Sequence, residues 1–383
     1  MRRTNSLLII ILSILFSCID PYSPKYDINA TKKYVVSGQI TDQEGYQYIQ
    51  ISLTTSLAKP QYIPLTDCKV EVMDNNGNSF LFDEYAEGKY SSWIDQEHLI
   101  PGNSFKVKII TPAGIRIESE YDQMPVCPQV DSVYYQRLDL PTNNPDVMQK
   151  GVRFYLDLDA TATDSRYFKY EIIESYEYHS SFLFEGYYDG RTHKINPPDD
   201  SRSVCYKTEL MKDIYTLTTK NLLQNQYKRF PLHFVDNTTQ RLLYQYCLEI
   251  RQYAISEKAF AFWSQLQQNA TEMGGLFDKQ PFNITSNLFI PDQPEAKVLG
   301  YFNTASVKTR RFFFKDIPNL DFEFYNACIP QDFFLALAYN AFTPSDYPVY
   351  LVYNTGYSIG YVDPGCVDCQ LLGGSVTKPE FWP

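Results

Sequence analysis

Ile49-Gln50-Ile51-Ser52-Leu53-Thr54 alternates apolar and polar side chains with a period of two, and that alternation decides the fold. A strand turns successive side chains to opposite faces, so Ile49, Ile51 and Leu53 line one face and Gln50, Ser52 and Thr54 the other. The pattern returns at Val70 and Val72, at Phe105, Val107 and Ile109, and at Ile115 and Ile117 against Arg116 and Glu118. Turn residues separate these runs: Asn76-Gly77, Pro101-Gly102 and Pro112-Ala113-Gly114. At Asn76-Gly77 the expectation is a tight hairpin whose two central residues both take positive φ. Asp74-Asn75-Asn76-Gly77-Asn78 is not a calcium loop, because the glycine stands fourth instead of sixth and no glutamate follows at the twelfth position. About seven short strands between Tyr34 and Tyr121 predict an immunoglobulin-like or transthyretin-like β-sandwich over residues 34–125.

Met124-Pro125-Val126-Cys127-Pro128 interrupts ladder pairing and marks a boundary, after which residues 126–383 form a second β-rich region. Phe168, Tyr170, Ile172, Tyr176 and Tyr178 alternate with Lys169, Glu171, Glu177 and His179, and Leu242, Tyr244, Tyr246, Leu248 and Ile250 repeat the pattern. Each predicts a long strand with one face buried. One helix is clear: Ser256 is its N-cap, Glu257 lies in its first turn, and Ala259, Phe262, Trp263 and Leu266 form an apolar stripe that ends before Gly274-Gly275. Residues 180–203, with Gly186, Gly190, Pro197, Pro198 and Asp199-Asp200, read as a long exposed loop. The expected fold is therefore mainly β, an N-terminal sandwich followed by a larger β-rich domain with one clear helix.

Hydrophobic residues at 44% against 21% charged argue against disorder, and 32 tyrosines with 25 phenylalanines suit strands. A net charge of −11 repels long polyanions, so nucleic acid is not an expected partner. Met1-Arg2-Arg3, the apolar run Leu7 to Phe16 and Leu15-Phe16-Ser17-Cys18 read as a lipoprotein signal peptide over residues 1–17. The ending resembles bacterial lipoboxes, which implies cleavage before Cys18 and lipidation of that residue. The run is shorter than the ~20 residues of a membrane span, and the longest later one, Phe333 to Tyr339, has seven. The mature chain is thus expected to be held to a membrane by its N-terminal lipid, through a tether over residues 18–33 reaching at most roughly 50 Å. Asp20 weakly resembles the acidic tags that send Bacteroidota lipoproteins to the cell surface.

Beyond Cys18 the cysteines are Cys68, Cys127, Cys205, Cys247, Cys328, Cys366 and Cys369, an odd number that leaves at least one unpaired. Cys68 shares the parity of Val70 and Val72 and reads as a buried free thiol. Cys366-Val367-Asp368-Cys369 reads as disulfide chemistry or a loop staple. Zinc would need a second pair, and thioredoxin-type redox chemistry would need a helix starting at the first cysteine. Gly356-Tyr357-Ser358-Ile359-Gly360 matches a nucleophile elbow, but a turn follows where a helix is required, and no histidine follows His233. Asp157 and Asp159 share one strand face, a carboxylate pair conceivable for glycoside chemistry but more simply solvated surface charge. No P-loop, dinucleotide fingerprint or His-Glu-x-x-His occurs, so no catalytic residue, cofactor or metal is expected. Among the aromatics that could stack on a ligand, Trp93, Trp263, Trp382, Tyr187 and Tyr188 were the ones of interest. Trp263 belongs to the helix's apolar stripe, and Tyr187 and Tyr188 are the better candidates. Asp131-Ser132-Val133 resembles a Bacteroidota O-glycosylation sequon and reads more simply as the opening of a strand.

The Ser256 to Trp263 helix start, Gly275-Leu276-Phe277-Asp278, Pro281, Asn287, Val298-Leu299-Gly300-Tyr301-Phe302, Cys366-x-x-Cys369 and Pro379-x-Phe381-Trp382 together resemble the Bacteroidota family called domain of unknown function 4249. Phe260 stands where that family's pattern suggests a tyrosine. The resemblance implies an outer-membrane lipoprotein of the kind found beside TonB-dependent transporters, and it carries over no catalytic residue. The expectation is a non-catalytic accessory lipoprotein facing outward that captures a nutrient, whether small molecule, glycan or peptide, for such a transporter. The alternatives are a cell-envelope hydrolase using Asp157, Asp159 or another carboxylate pair, and a structural or adhesive surface protein.

Overall fold

The computed structural model describes residues 32–55, 61–142, 144, 146–272, 284–323, 328–353 and 358–383. The signal peptide, Cys18 and nearly all of the tether lie outside the described residues, as do Gly274 to Pro281 and Gly356-Tyr357. The chain is mainly β, as the alternation predicts. The first region contributes β1 (Tyr34–Thr41), β2 (Gly45–Leu53), β3 (Ile63–Pro64), β4 (Lys69–Asp74), β5 (Ser79–Ala86), β6 (Lys89–Ile94), β7 (Ser104–Ile110), β8 (Arg116–Ser119) and β9 (Asp122–Gln123). Two sheets face each other across a core of Val36, Ile49, Ile51, Val70, Val72, Phe105, Val107 and Ile109. These are the inward-facing members of the alternating runs, and each is withdrawn from water by the opposite sheet. Strand β5 serves both sheets, pairing with β4 through Phe82 and with β6 from Asp83 onward.

The Asn76-Gly77 hairpin is present with a different turn. Four residues join β4 to β5 and among the described residues only Gly77 of that turn has positive φ, at 91°. The Asp74 carboxylate accepts the backbone N–H groups of Asn76 and Asn78 at 2.9 and 2.8 Å. That side-chain cap stabilises the wider turn.

The second region contains β10 (Ser132–Pro141), β11 (Met148–Asp159), β12 (Tyr167–His179), β13 (Phe184–Tyr188), β14 (Thr192–Asp199), β15 (Val204–Leu210), β16 (Tyr215–Thr218), β17 (Gln226–Asp236), β18 (Gln245–Ile255), α1 (Glu257–Glu272), β19 (Leu288–Phe289), β20 (Leu299–Lys315), β21 (Gln331–Asp332), α2 (Leu335–Ala341), β22 (Val349–Tyr353) and β23 (Ile359–Val362). Ser132 opens β10, and Leu242 ends a short helical turn before β18 instead of lying in the strand. The 180–203 segment is not a loop: β13 and β14 pair as a hairpin, and β13 also pairs with β22 in a five-stranded sheet. Its prolines lie in β14, which is an edge of that sheet and needs no N–H from them on its free side. The apolar run at Phe333 forms α2, with Phe334, Leu335, Leu337 and Tyr339 all at least 59% exposed. Among the described residues no helix is long and apolar enough to cross a membrane.

Strand β20 joins the two regions. Its first half runs parallel to β1 from Leu299 to Ala305 and its second half antiparallel to β18 from Ala305 to Lys315. Strand β19 pairs with β8, so residues from beyond position 280 complete the N-terminal sandwich. Where β20 changes partners, buried carboxylates take its backbone: Asp122 accepts Thr304 N–H at 2.7 Å and Asp42 accepts Val307 N–H at 2.8 Å. Gly300 lies on this strand with φ +90°, and a Cβ there would sit 1.9 Å from the Val36 carbonyl oxygen. Only glycine allows β20 so close to β1.

The strands β12, β18 and β20 are covered on one side by β10, β11 and β17 around Phe154, Leu156, Phe168, Tyr170, Leu248 and Ile250. On the other side α1 packs Ala259 and Phe262 against Tyr253, Ile255 and Tyr301. The Ser256 hydroxyl accepts Ala259 N–H at 3.2 Å, the predicted cap. Strands expected to bury one face therefore bury both where the helix lies on them.

Candidate functional site

On β2, Tyr46, Tyr48 and Gln50 have the parity opposite to Ile49 and Ile51, so they leave the core on the outer face of the sandwich. Antiparallel pairing sets Tyr46 across from Trp93 and Gln50 across from Lys89 on β6. On β1, Gln39 lies across from Tyr48 and Ser37 from Gln50. The rings are held by one another: Tyr46 meets Trp93 edge to face at 5.4 Å, and Tyr48 meets Tyr85 of β5 at 5.7 Å. All four remain at least half exposed, between 50% and 59%. A cluster of large aromatic faces left to water on one sheet face is the informative kind of exposure, since none of the described residues covers it.

The same face continues across β20 to β12, where α1 forms a wall. Together they enclose a groove of about 460 Å³ lined by these tyrosines, Gln39, Gln50, Lys89, Asn303 and, on its far side, Trp263, Lys169 and Glu171. The Lys169 side chain, expected in solvent, is 6% exposed because α1 lies over it. Its ammonium is 2.9 Å from Glu171 Oε1 and sits 4.2 Å from the Trp263 ring centroid and 5.0 Å from that of Tyr253. The Tyr253 hydroxyl donates to Glu171 Oε2 at 2.8 Å. Burial opposes the charge on Glu171, but the Lys169 ammonium and the Tyr253 hydroxyl outweigh it, and its pKa is lowered. The pair makes a charge-matched wall, with the Glu171 carboxylate favoured in its ionised form. The Trp263 indole N–H is buried without a hydrogen-bond partner.

Tyr187 and Tyr188 lie on β13 and not on a loop. The Tyr188 ring is 3% exposed and packs in a core with Phe333 and Val349. Tyr187 is half-buried, one ring face stacked on His193 at 4.5 Å. Trp382 is also buried, against Tyr206 and Phe313. Cys366 and Cys369 are both disulfide-bonded, though not to each other: Cys205 pairs with Cys369 and Cys328 with Cys366. The two bridges staple the C-terminal segment to β15 and to the segment before β21. Cys68, Cys127 and Cys247 are buried free thiols, and burial raises the pKa of Cys127 to about 11 and of Cys247 to about 12. Among the described residues no group of three or more metal-ligating side chains forms.

Asp157 and Asp159 hold structural partners. Burial works against the Asp157 charge, but the Arg229 backbone N–H at 2.9 Å and Lys228 at 3.0 Å outweigh it and lower its pKa. Thr161, through hydroxyl and backbone, lowers that of Asp159. Neither carboxyl is held protonated as a general acid. Of the elbow motif, Ser358 and Gly360 are described, and the chain enters β23 there and not a helix.

A second polar cluster lies in the second core. The Tyr246 hydroxyl donates to Glu174 Oε2 at 2.7 Å, Arg241 pairs with Glu174 at 3.3 Å, and His233 Nε2 is 2.7 Å from the Tyr246 oxygen. With the tyrosine proton on Glu174, Nε2 carries the imidazole hydrogen and donates to the Tyr246 oxygen. Burial, then Arg241 and Arg153, lowers the His233 pKa to about 3, so the ring is neutral.

Of the four exposed rings only Trp93 is singled out by sequence; Tyr46, Tyr48 and Tyr85 were missed, although a signal existed for the first two. Tyr46 and Tyr48 occupy the polar parity of the Ile49 to Thr54 alternation, where a half-buried strand normally shows hydrophilic residues.

A family model described as Domain of unknown function (DUF4249) matches residues 19–311. No match is found among curated proteins. Among solved structures, the trypsin-activated alpha-2-macroglobulin from Escherichia coli is similar at 11% sequence identity and a TM-score of 0.18. That alignment covers 59% of this chain and only 15% of the other, and carries no structural argument.

Proposed function

The chain belongs to the DUF4249 family, and from that premise we propose that it is a non-catalytic lipoprotein of a Bacteroidota outer membrane. It is anchored by lipid on Cys18, faces outward, and captures a ligand for a TonB-dependent transporter. The observation that carries the reading is the open groove beside Trp263, with exposed Tyr46 and Tyr48 on its floor and a charge-matched Lys169–Glu171 pair on its wall. Such a site offers exposed aromatic and amide surface for binding. The lowered pKa values of Asp157 and Asp159 also favour binding over hydrolysis. Two disulfides suit an oxidising compartment beyond the cytoplasm.

The test is affinity purification of the tagged chain from its native host in a mild zwitterionic detergent, with mass spectrometry of what accompanies it. A stoichiometric TonB-dependent transporter is the expected result. A chain that purifies alone, or that stays in the soluble fraction with Cys18 unmodified, overturns the reading.

A further inference from the structure

We infer that the groove binds a saccharide chain, laid along the exposed face of β2 with its sugar rings on Tyr48 and Tyr46. This names the ligand class of the capture role proposed above and rests on that reading. Sugar rings present C–H faces that stack on aromatic planes and hydroxyl edges that need hydrogen-bond partners. The groove supplies both in one place. Tyr48 and Tyr46 are 54% and 59% exposed and are fixed in orientation by edge contacts with Tyr85 and Trp93, so little side-chain freedom is lost on binding. The Gln39 side chain flanks Tyr48 and the Gln50 side chain follows on the same strand face, each offering amide donor and acceptor atoms to hydroxyls.

Charge does not demand an anionic ligand: Lys169 is matched by Glu171 at 2.9 Å and enclosed by Trp263, and Lys89, the other cation of the lining, is exposed to water and not buried. At about 460 Å³ the groove is within the size range of small-ligand sites, and it lies open along the sheet face and not closed around a single small molecule.

The probe is an array of several hundred defined oligosaccharides, screened with the full-length mature lipoprotein in a detergent without a sugar headgroup and followed by calorimetry on the hits. The expected result is binding that weakens about tenfold or more in Tyr48→Ala, on the scale of one lost stacking contact, and is unchanged in Tyr187→Ala. Both variants are to keep the wild-type circular dichroism spectrum, and Tyr48→Phe, which retains the ring, is to keep most of the affinity. Absence of any oligosaccharide binding, or binding indifferent to Tyr48→Ala, overturns the inference. Co-purification of a transporter by a chain that binds no saccharide removes the ligand class alone, and saccharide binding without any transporter removes the uptake role alone.

Discussion

Acidification should destabilise this protein through His233, and the structure gives the size of the effect. The ring is 5% exposed, stacked on Phe154 at 5.2 Å, and bound through Nε2 to Tyr246, while Nδ1 has no partner. Arg241 and Arg153 oppose a second positive charge, and the nearby Glu174, 4.0 Å from Nε2, is already matched by Arg241. The folded-state pKa is about 3 against an ordinary 6.5. Above pH 6.5 the imidazole is neutral in both states, and the full stability is present. As pH falls from 6.5 towards 3, the unfolded chain takes up a proton that the folded chain refuses, and stability is lost. At pH 4.5 the unfolded histidine is two pH units below its pKa, so the loss is about 3 kcal/mol. His233→Gln keeps a donor for the Tyr246 oxygen and cannot titrate. Urea unfolding of both proteins at pH 7.0 and 4.5 therefore cancels the other titrating groups in the double difference. The wild type should lose roughly 2–3 kcal/mol more than the variant over that interval. Equal losses in the two proteins would refute the neutral, buried histidine and its hydrogen bond to Tyr246.

Gly300→Ala should cost roughly 3 kcal/mol or more, or prevent folding, because the new Cβ meets the Val36 carbonyl at a φ that L-residues avoid; an alanine variant with unchanged thermal midpoint contradicts the close β1–β20 approach. Cys205→Ser should lower stability by roughly 2–5 kcal/mol, since the bridge to Cys369 closes 164 residues of chain, and a variant as stable as the parent under oxidising conditions would argue against that pairing. The thiols of Cys68, Cys127 and Cys247 should resist alkylation at pH 8 in the folded protein and react after unfolding, because burial raises each pKa; rapid native labelling of any of the three contradicts its burial.

Much of the architecture is legible in local patterns. Ile49 to Thr54 and Phe168 to Ile172 show their strands because a two-residue period is fixed by backbone geometry alone. Ser256 marks the helix start because a cap satisfies N–H groups within three residues of itself. Asn76-Gly77 marks a hairpin, but its turn type depends on Asp74 reaching back to cap it. The 180–203 segment misled because glycines and prolines announce irregular backbone, and only pairing of β13 with β22, more than 150 residues later, makes it sheet. Tyr188 was misjudged for the same reason: its exposure depends on whether Phe333 and Val349 arrive to cover it.

By itself the sequence determined the β class, the sandwich, the helix and the family resemblance. Each is a property of neighbouring residues or of their order. What only the tertiary structure decided is which faces stay open and which distant groups meet. Lys169 is polar by parity yet buried because α1 folds over β12. Tyr46 and Tyr48 are open because no described residue is laid over that face of β2, and Cys366 and Cys369 take different partners, Cys328 and Cys205, brought in from other parts of the chain. Periodicity tells which side of a strand a residue takes, whereas burial and pairing depend on contacts made across the whole chain, and the candidate site is built from those.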